Sequence, residues 1–182
     1  SENLFINSAN LLDAQVQLSN VLGTNAQLNR DTLKSQVELT KQAGLSVESA
    51  TTLGVLSIAT GKSTDDITKN FLGQAKALGA QEGITLNNKR LLEDVSKISK
   101  GTLLTLSQQS GALAKAAFQA RALGLNIEQL EKSANSLLDI ESSITAEFEA
   151  EVLMGRQLNL EKARLAALNN DLATVGKELE NQ

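Results

Sequence analysis

The sequence predicts an all-α fold: several short-to-medium helices joined by Gly-capped turns into antiparallel hairpins or a bundle, with longer helices at both ends. Three observations carry this. Proline is absent from all 182 residues, where average usage would place about nine. Proline lacks the N–H donor and its ring clashes with the preceding turn, so helical chains exclude it. Tyr and Trp are also absent and only four Phe are present (Phe5, Phe71, Phe118, Phe148), too few aromatics for typical strands. The remainder is rich in the helix formers Leu, Ala, Gln, Glu and Lys. Hydrophobic residues make up 41% of the chain, so the expected core is aliphatic, as in thin bundles and stacked hairpins.

Residues 1–43 read as one long N-terminal helix, a possible coiled-coil arm. Leu4, Leu11 and Leu18 are spaced by seven, and Ala14, Val21 and Leu28 fill the seam. Asn25 takes a seam position. Residues 44–126 read as helical hairpin repeats. Seven glycines look like punctuation (Gly44, Gly61, Gly79, Gly83, Gly101, Gly124, Gly155), while Gly23, Gly54, Gly73, Gly111 and Gly176 fall inside helical patterns. Gly44-Leu45-Ser46 predicts a left-handed helix stop, a leucine packing back on the last turn and a new cap. Gly124-Leu125-Asn126 repeats it, with Gln129 completing a capping box. Gly83-Ile84-Thr85 is a looser copy, and Ser63 with Asp66 marks another start. Gly44, Gly83 and Gly124 are 39 and 41 residues apart, and Gln74-Ala75-Lys76-Ala77-Leu78-Gly79 returns as Gln119-Ala120-Arg121-Ala122-Leu123-Gly124. A repeat of about 40 residues and a chance likeness of Ala/Leu-rich helices both fit.

Residues 127–182 read as a long helix plus a C-terminal helix or hairpin. The stripe Ile127, Leu130, Ala134, Leu137, Ile144, Phe148, Val152 predicts one helix of about 25 residues, ending near Gly155. Leu158, Leu165, Leu168, Leu172, Val175 and Leu179 then form a candidate helix-packing seam. Asn169-Asn170-Asp171 is equally a good turn and cap, so one helix and a hairpin both remain open.

The chemistry the sequence can support is narrow. Histidine and cysteine are both absent, which removes imidazole bases, thiolate chemistry and conventional zinc sites. No catalytic, cofactor or metal site is expected, and the chain reads as a non-enzyme. Gly61-Lys62-Ser63 resembles the end of a phosphate-binding loop, but Leu56 stands where the loop needs its first glycine. Glu147 and Glu151 share a helix face. They read as a solvated face rather than a catalytic pair, with Arg156, Lys162 and Arg164 as surface charges or their partners. An enzyme using carboxylates alone would lose activity on substituting Glu147 and Glu151 with Gln. A net charge of −4 and a pI near 5.0 argue against nucleic-acid binding. No apolar run reaches a membrane span. The missing initiator Met is read as processing or as a piece of a longer chain.

One stretch carries a family likeness. Leu137-Leu138-Asp139-Ile140-Glu141-Ser142-Ser143-Ile144-Thr145-Ala146-Glu147-Phe148-Glu149-Ala150-Glu151, its continuation Gly155-Arg156-Gln157-Leu158-Asn159-Leu160-Glu161-Lys162-Ala163-Arg164, and Ala59-Thr60-Gly61-Lys62-Ser63-Thr64-Asp65-Asp66 together resemble tail tape-measure proteins of tailed bacteriophages. The resemblance covers roughly residues 40–175. It implies a virion structural protein of the phage tail, in the tube lumen or at the baseplate or tail tip, that sets tail length and aids tail assembly. It further implies assembly in the host cytoplasm. The implied partners are copies of itself, as a homo-oligomer, and tail-tube and baseplate or tail-tip proteins. A ruler of this kind is long uninterrupted helix, about 270 Å for a chain of this length. The glycine punctuation departs from that and points to a terminal or baseplate-proximal piece. The alternative is a cellular helical scaffold, a solenoid-like interaction module without catalysis.

Overall fold

The computed structural model describes residues 4–23 and 27–182, and the seam position Asn25 lies outside them. The described residues form eleven α-helices and no strand. They are α1 (Ser8–Leu22), α2 (Arg30–Val37), α3 (Val47–Thr60), α4 (Thr64–Glu82), α5 (Asn88–Val95), α6 (Lys100–Gln108), α7 (Ala112–Ala122), α8 (Ile127–Leu138), α9 (Ile140–Met154), α10 (Glu161–Leu168) and α11 (Leu172–Glu180). A π-helical turn, Glu38–Gln42, extends α2. There Thr40 Oγ1 donates to Gln36 O (3.0 Å) and Val37 O (3.1 Å), the kind of side-chain competition that loosens a helical ladder.

The starts and stops follow local side-chain chemistry. Ser46, Ser63 and Asn126 each accept a hydrogen bond from the amide three residues on, at 3.2, 3.0 and 2.8 Å. Gln129 Oε1 closes the capping box by accepting from Asn126 N at 2.9 Å. Gly83 and Gly124 are left-handed, and the next residue's amide reaches back to Gly79 O and Ala120 O, both at 2.8 Å. This is the Schellman stop.

Several expectations are corrected. The first forty residues are not one helix: α1 ends at left-handed Gly23 (φ 63°), and α2 restarts with Asn29 Oδ1 accepting from Asp31 N at 2.7 Å. The helix expected over 127–155 breaks at Asp139, whose carboxylate caps α9 through Ser142. The longest helix is therefore α4, with 19 residues, rather than one at either end. Gly79 and Gly101 lie inside helices, whereas Gly23 and Gly111 are the turn glycines. Gly79 is a close-approach site instead, since a Cβ there would stand 2.5 Å from Ile84 O. The two spans between Gly44, Gly83 and Gly124 hold two and three helices respectively, so they are not copies of one hairpin. The extra break comes at Ser99, which caps α6. The tail is a hairpin: Asn170 takes φ 54° and Asp171 caps α11.

The core is aliphatic and small-residue rich. Ala116, Ala117 and Ala120 on α7 are buried and let α4, α8 and α11 approach closely. Gly176 serves the same end, because a Cβ there would meet Gln119 Cγ at 2.5 Å. Beside this core, α1, α2 and α3 bury Ala14, Leu18 and Val37 around Gln36. With its nitrogen toward α3, the Gln36 amide donates to Ala50 O (2.7 Å) and accepts from Thr51 N (3.2 Å). That satisfies a polar group that is otherwise costly to bury.

Candidate interaction surface

Helix α9 is the anomaly of the fold. Asp139 starts it, and left-handed Gly155 ends it with its amide donating to Glu151 O. Between them the helix turns polar side chains toward the protein and leaves its large apolar ones exposed to solvent. Ser143 is its one buried residue.

The inward face is a clamp. Arg164 on α10 pairs with Glu147 Oε2 and donates through Nε to Ser143 Oγ at 2.8 Å. Glu147 Oε1 accepts from Leu160 N (2.8 Å), and Glu151 Oε1 accepts from Leu158 N (2.7 Å). The two carboxylates thus hold the connection into α10, whose first amides have no helical partner. The side chains of Arg164 and Glu147 are only 12% and 15% exposed. Burial pushes the Glu147 carboxyl upward, but the Leu160 amide and Arg164 outweigh it and leave Glu147 below the usual range. The solvated-face reading is therefore wrong for Glu147, and Arg164 is the partner. The i,i+4 spacing of the two acids was the available signal.

The outward face carries Ile140, Ile144, Phe148 and Val152, exposed by 45, 52, 67 and 71%, and at the C-terminal end of the helix Leu153 and Met154 are exposed by 86 and 50%. Ile140, Ile144, Phe148 and Val152 follow one another at i,i+4 and make a continuous ridge. Full burial of such a side chain is worth roughly 2 kcal/mol, so the six leave on the order of 7 kcal/mol unrealised. Isolated exposed apolar residues are ordinary, but a contiguous set marks an interaction site.

A second apolar feature lies elsewhere. A groove of about 880 Å³ runs between α1, α3 and α6, lined by Val21, Val47, Val55, Ile98, Leu103 and Leu104 among others. Val21, Val47 and Leu104 are 44, 49 and 40% exposed. Lys100 and Glu48 stand in its wall.

The candidate seam does not form one line. Leu172 and Val175 are buried, and Leu179 packs against the core from α11. Leu165 and Leu168 are 61 and 62% exposed on α10, and Leu158 is half-buried in the preceding turn. The hairpin at Asn170 turns the two halves apart. Gly61-Lys62-Ser63 is a helix–helix turn: Gly61 stops α3, Ser63 caps α4, and Ser57 Oγ donates to Lys62 O at 2.6 Å. Two buried carboxylates went unforeseen. Glu131 accepts from Ser99 N (3.0 Å) and Ser99 Oγ (2.6 Å), tying α8 to the start of α6. Asp94 pairs with Arg121; burial raises its carboxyl by more than Arg121 lowers it.

Among the described residues no group of three potential ligands converges on a metal position, and no helix is long and apolar enough to cross a membrane. No protein-family model, curated protein or solved structure matches this chain.

Proposed function

We propose that this chain is a non-catalytic assembly module that works in several copies, a tape-measure-like structural component of a phage tail. On this reading it sits in the tube lumen or at the baseplate or tail tip, where it acts in tail assembly and length determination. The observation that carries the assembly reading is the outward face of α9, an apolar ridge held rigidly by a polar clamp. A folded domain keeps such a ridge exposed when something else covers it. The tail assignment rests on the sequence likeness over roughly residues 40–175. The folded-back helices favour a terminal or baseplate-proximal position over the extended ruler. A cellular scaffold of solenoid type loses the regular repeat that motivated it, since the glycine-bounded units differ in helix number.

The test is protein chemistry on purified tailed particles from a host carrying the gene. The expected result is the chain, or a longer product containing it, in several copies per particle. Its absence from intact particles would refute the tail assignment.

A further inference from the structure

Helix α1 is attached through little buried surface. It packs on α2 and α3, and Ala14 and Leu18 are its two buried residues, against six on α7. Ala14, Leu18 and Val37 lie outside the main buried cluster. The anchor is a single knob. Leu18 is fully buried over Gly54 of α3, where an added Cβ would stand 2.8 Å from Leu18 Cδ2. Through Gln17 and Val21, α1 also forms one wall of the apolar groove that it shares with α3 and α6.

The polar contacts allow this wall to leave. Gln36 is the buried amide beside α1, 1% exposed. Its hydrogen bonds to Ala50 O and Thr51 N run to α3, so α2 and α3 stay tied and this amide keeps its partners when α1 departs. Gln17 meets Gln36 at 3.3 Å; it is half-buried and takes water in exchange. Gln15 Oε1 accepts from Leu28 N at 3.0 Å, a tie to the chain that follows α1 rather than to α3. Once undocked, a helix of 15 residues is marginal in water. We propose that α1 is a flap: it opens and refolds as a unit over α3 while the rest of the chain stays folded. Opening uncovers Gly54 and removes the α1 wall of the groove.

Native-state hydrogen exchange on the 182-residue chain tests it. The helically bonded amides of α1, residues 12–22, should share one opening. Corrected for sequence, they should exchange at least about 100-fold faster than the interior of α7, with little dependence on dilute urea. Leu18→Ala empties the space over Gly54 and should speed α1 at least about tenfold. Gly54→Ala crowds that space from the other side and should act in the same direction, which keeps the test in hand should Leu18→Ala misfold. Leu130→Ala in α8 weakens the main core rather than the α1 contact. It should speed α7 at least about tenfold and leave α1 at its wild-type rate. Ile127→Val is the milder core change, with about a threefold effect on α7. Protection in α1 equal to that in α7 overturns the proposal. So does an α1 rate that rises with α7 in either core variant, which would mean that α1 opens only with the whole molecule. An α1 rate unmoved by both Leu18→Ala and Gly54→Ala overturns it too.

Discussion

Replacing Glu147 with Ala removes the acceptor of Leu160 N and the partner of Arg164 in one step. Breaking a buried ion pair from one side costs about 3–5 kcal/mol, because the remaining charge stays desolvated. This pair lies near the surface, with side chains 12 and 15% exposed, which places it at the lower end. The lost acceptor at the start of α10 adds about 1 kcal/mol, but it shares the same carboxylate and does not sum fully. The expected loss is about 3 kcal/mol, or a Tm drop of about 6–12 °C for a chain of this size. Glu147→Gln keeps an oxygen for Leu160 N and should lose roughly half as much. Urea and thermal unfolding measure the loss, and hydrogen exchange locates it in α9 and the turn to α10. The pH dependence has a definite sign. The folded Glu147 carboxyl lies below its ordinary value, so its contribution is fully present above the unfolded pKa, near 4.3. It disappears as pH falls through the folded value, and Glu147→Gln should lack that acid limb. An Ala variant within about 0.5 kcal/mol of wild type would mean the clamp is solvated after all.

Two glycines of α4 should respond with opposite signs to alanine. Gly73 has nothing within 4 Å of an added Cβ, so Gly73→Ala should stabilise by about 0.5–1 kcal/mol. Gly79→Ala should destabilise by about 1–3 kcal/mol despite better helix propensity, because its Cβ meets the Ile84 carbonyl at 2.5 Å; denaturant midpoints decide both. Asn126→Ala opens the capping box of α8 and should cost about 1 kcal/mol in the same assay. Asp94 has a carboxyl held above its ordinary value by burial, against the pull of Arg121. Its contribution is fully present below the unfolded pKa and is lost as pH rises through the folded one. Asp94→Asn should therefore compare best with wild type at neutral pH and worst in acid, as read from stability measured between about pH 3 and 7.

What the sequence made legible was governed by neighbours a few residues away. Ser46, Ser63 and Asn126 cap through amides three positions on, so local pattern found them. The break at Asp139 was hidden because Leu137, Ile144, Phe148 and Val152 keep helical spacing across it. Only the Asp139–Ser142 contact, and the turn it imposes, rotates the second half of the stripe from core to solvent. Gly79 was misread for a related reason: it lies four residues before the true stop at Gly83, and only tertiary closeness to Ile84 explains it. The candidate site was half visible. The sequence puts Glu147 and Glu151 on one helix face and offers Arg164 as one of three nearby cations, but their burial depends on how the turn at Gly155 returns the chain against α9. The exposure of Phe148 and Val152 could not be read at all, because an apolar helical stripe looks the same in sequence whether it meets its own core or another molecule.

Hydrogen exchange on the wild-type chain at about 1 and about 200 µM distinguishes α9 as a contact surface from α9 as a poorly packed helix. Amides of residues 140–154 should slow at the higher concentration, while the interior of α7 is unchanged. Exchange in α9 that is the same at both concentrations would contradict it.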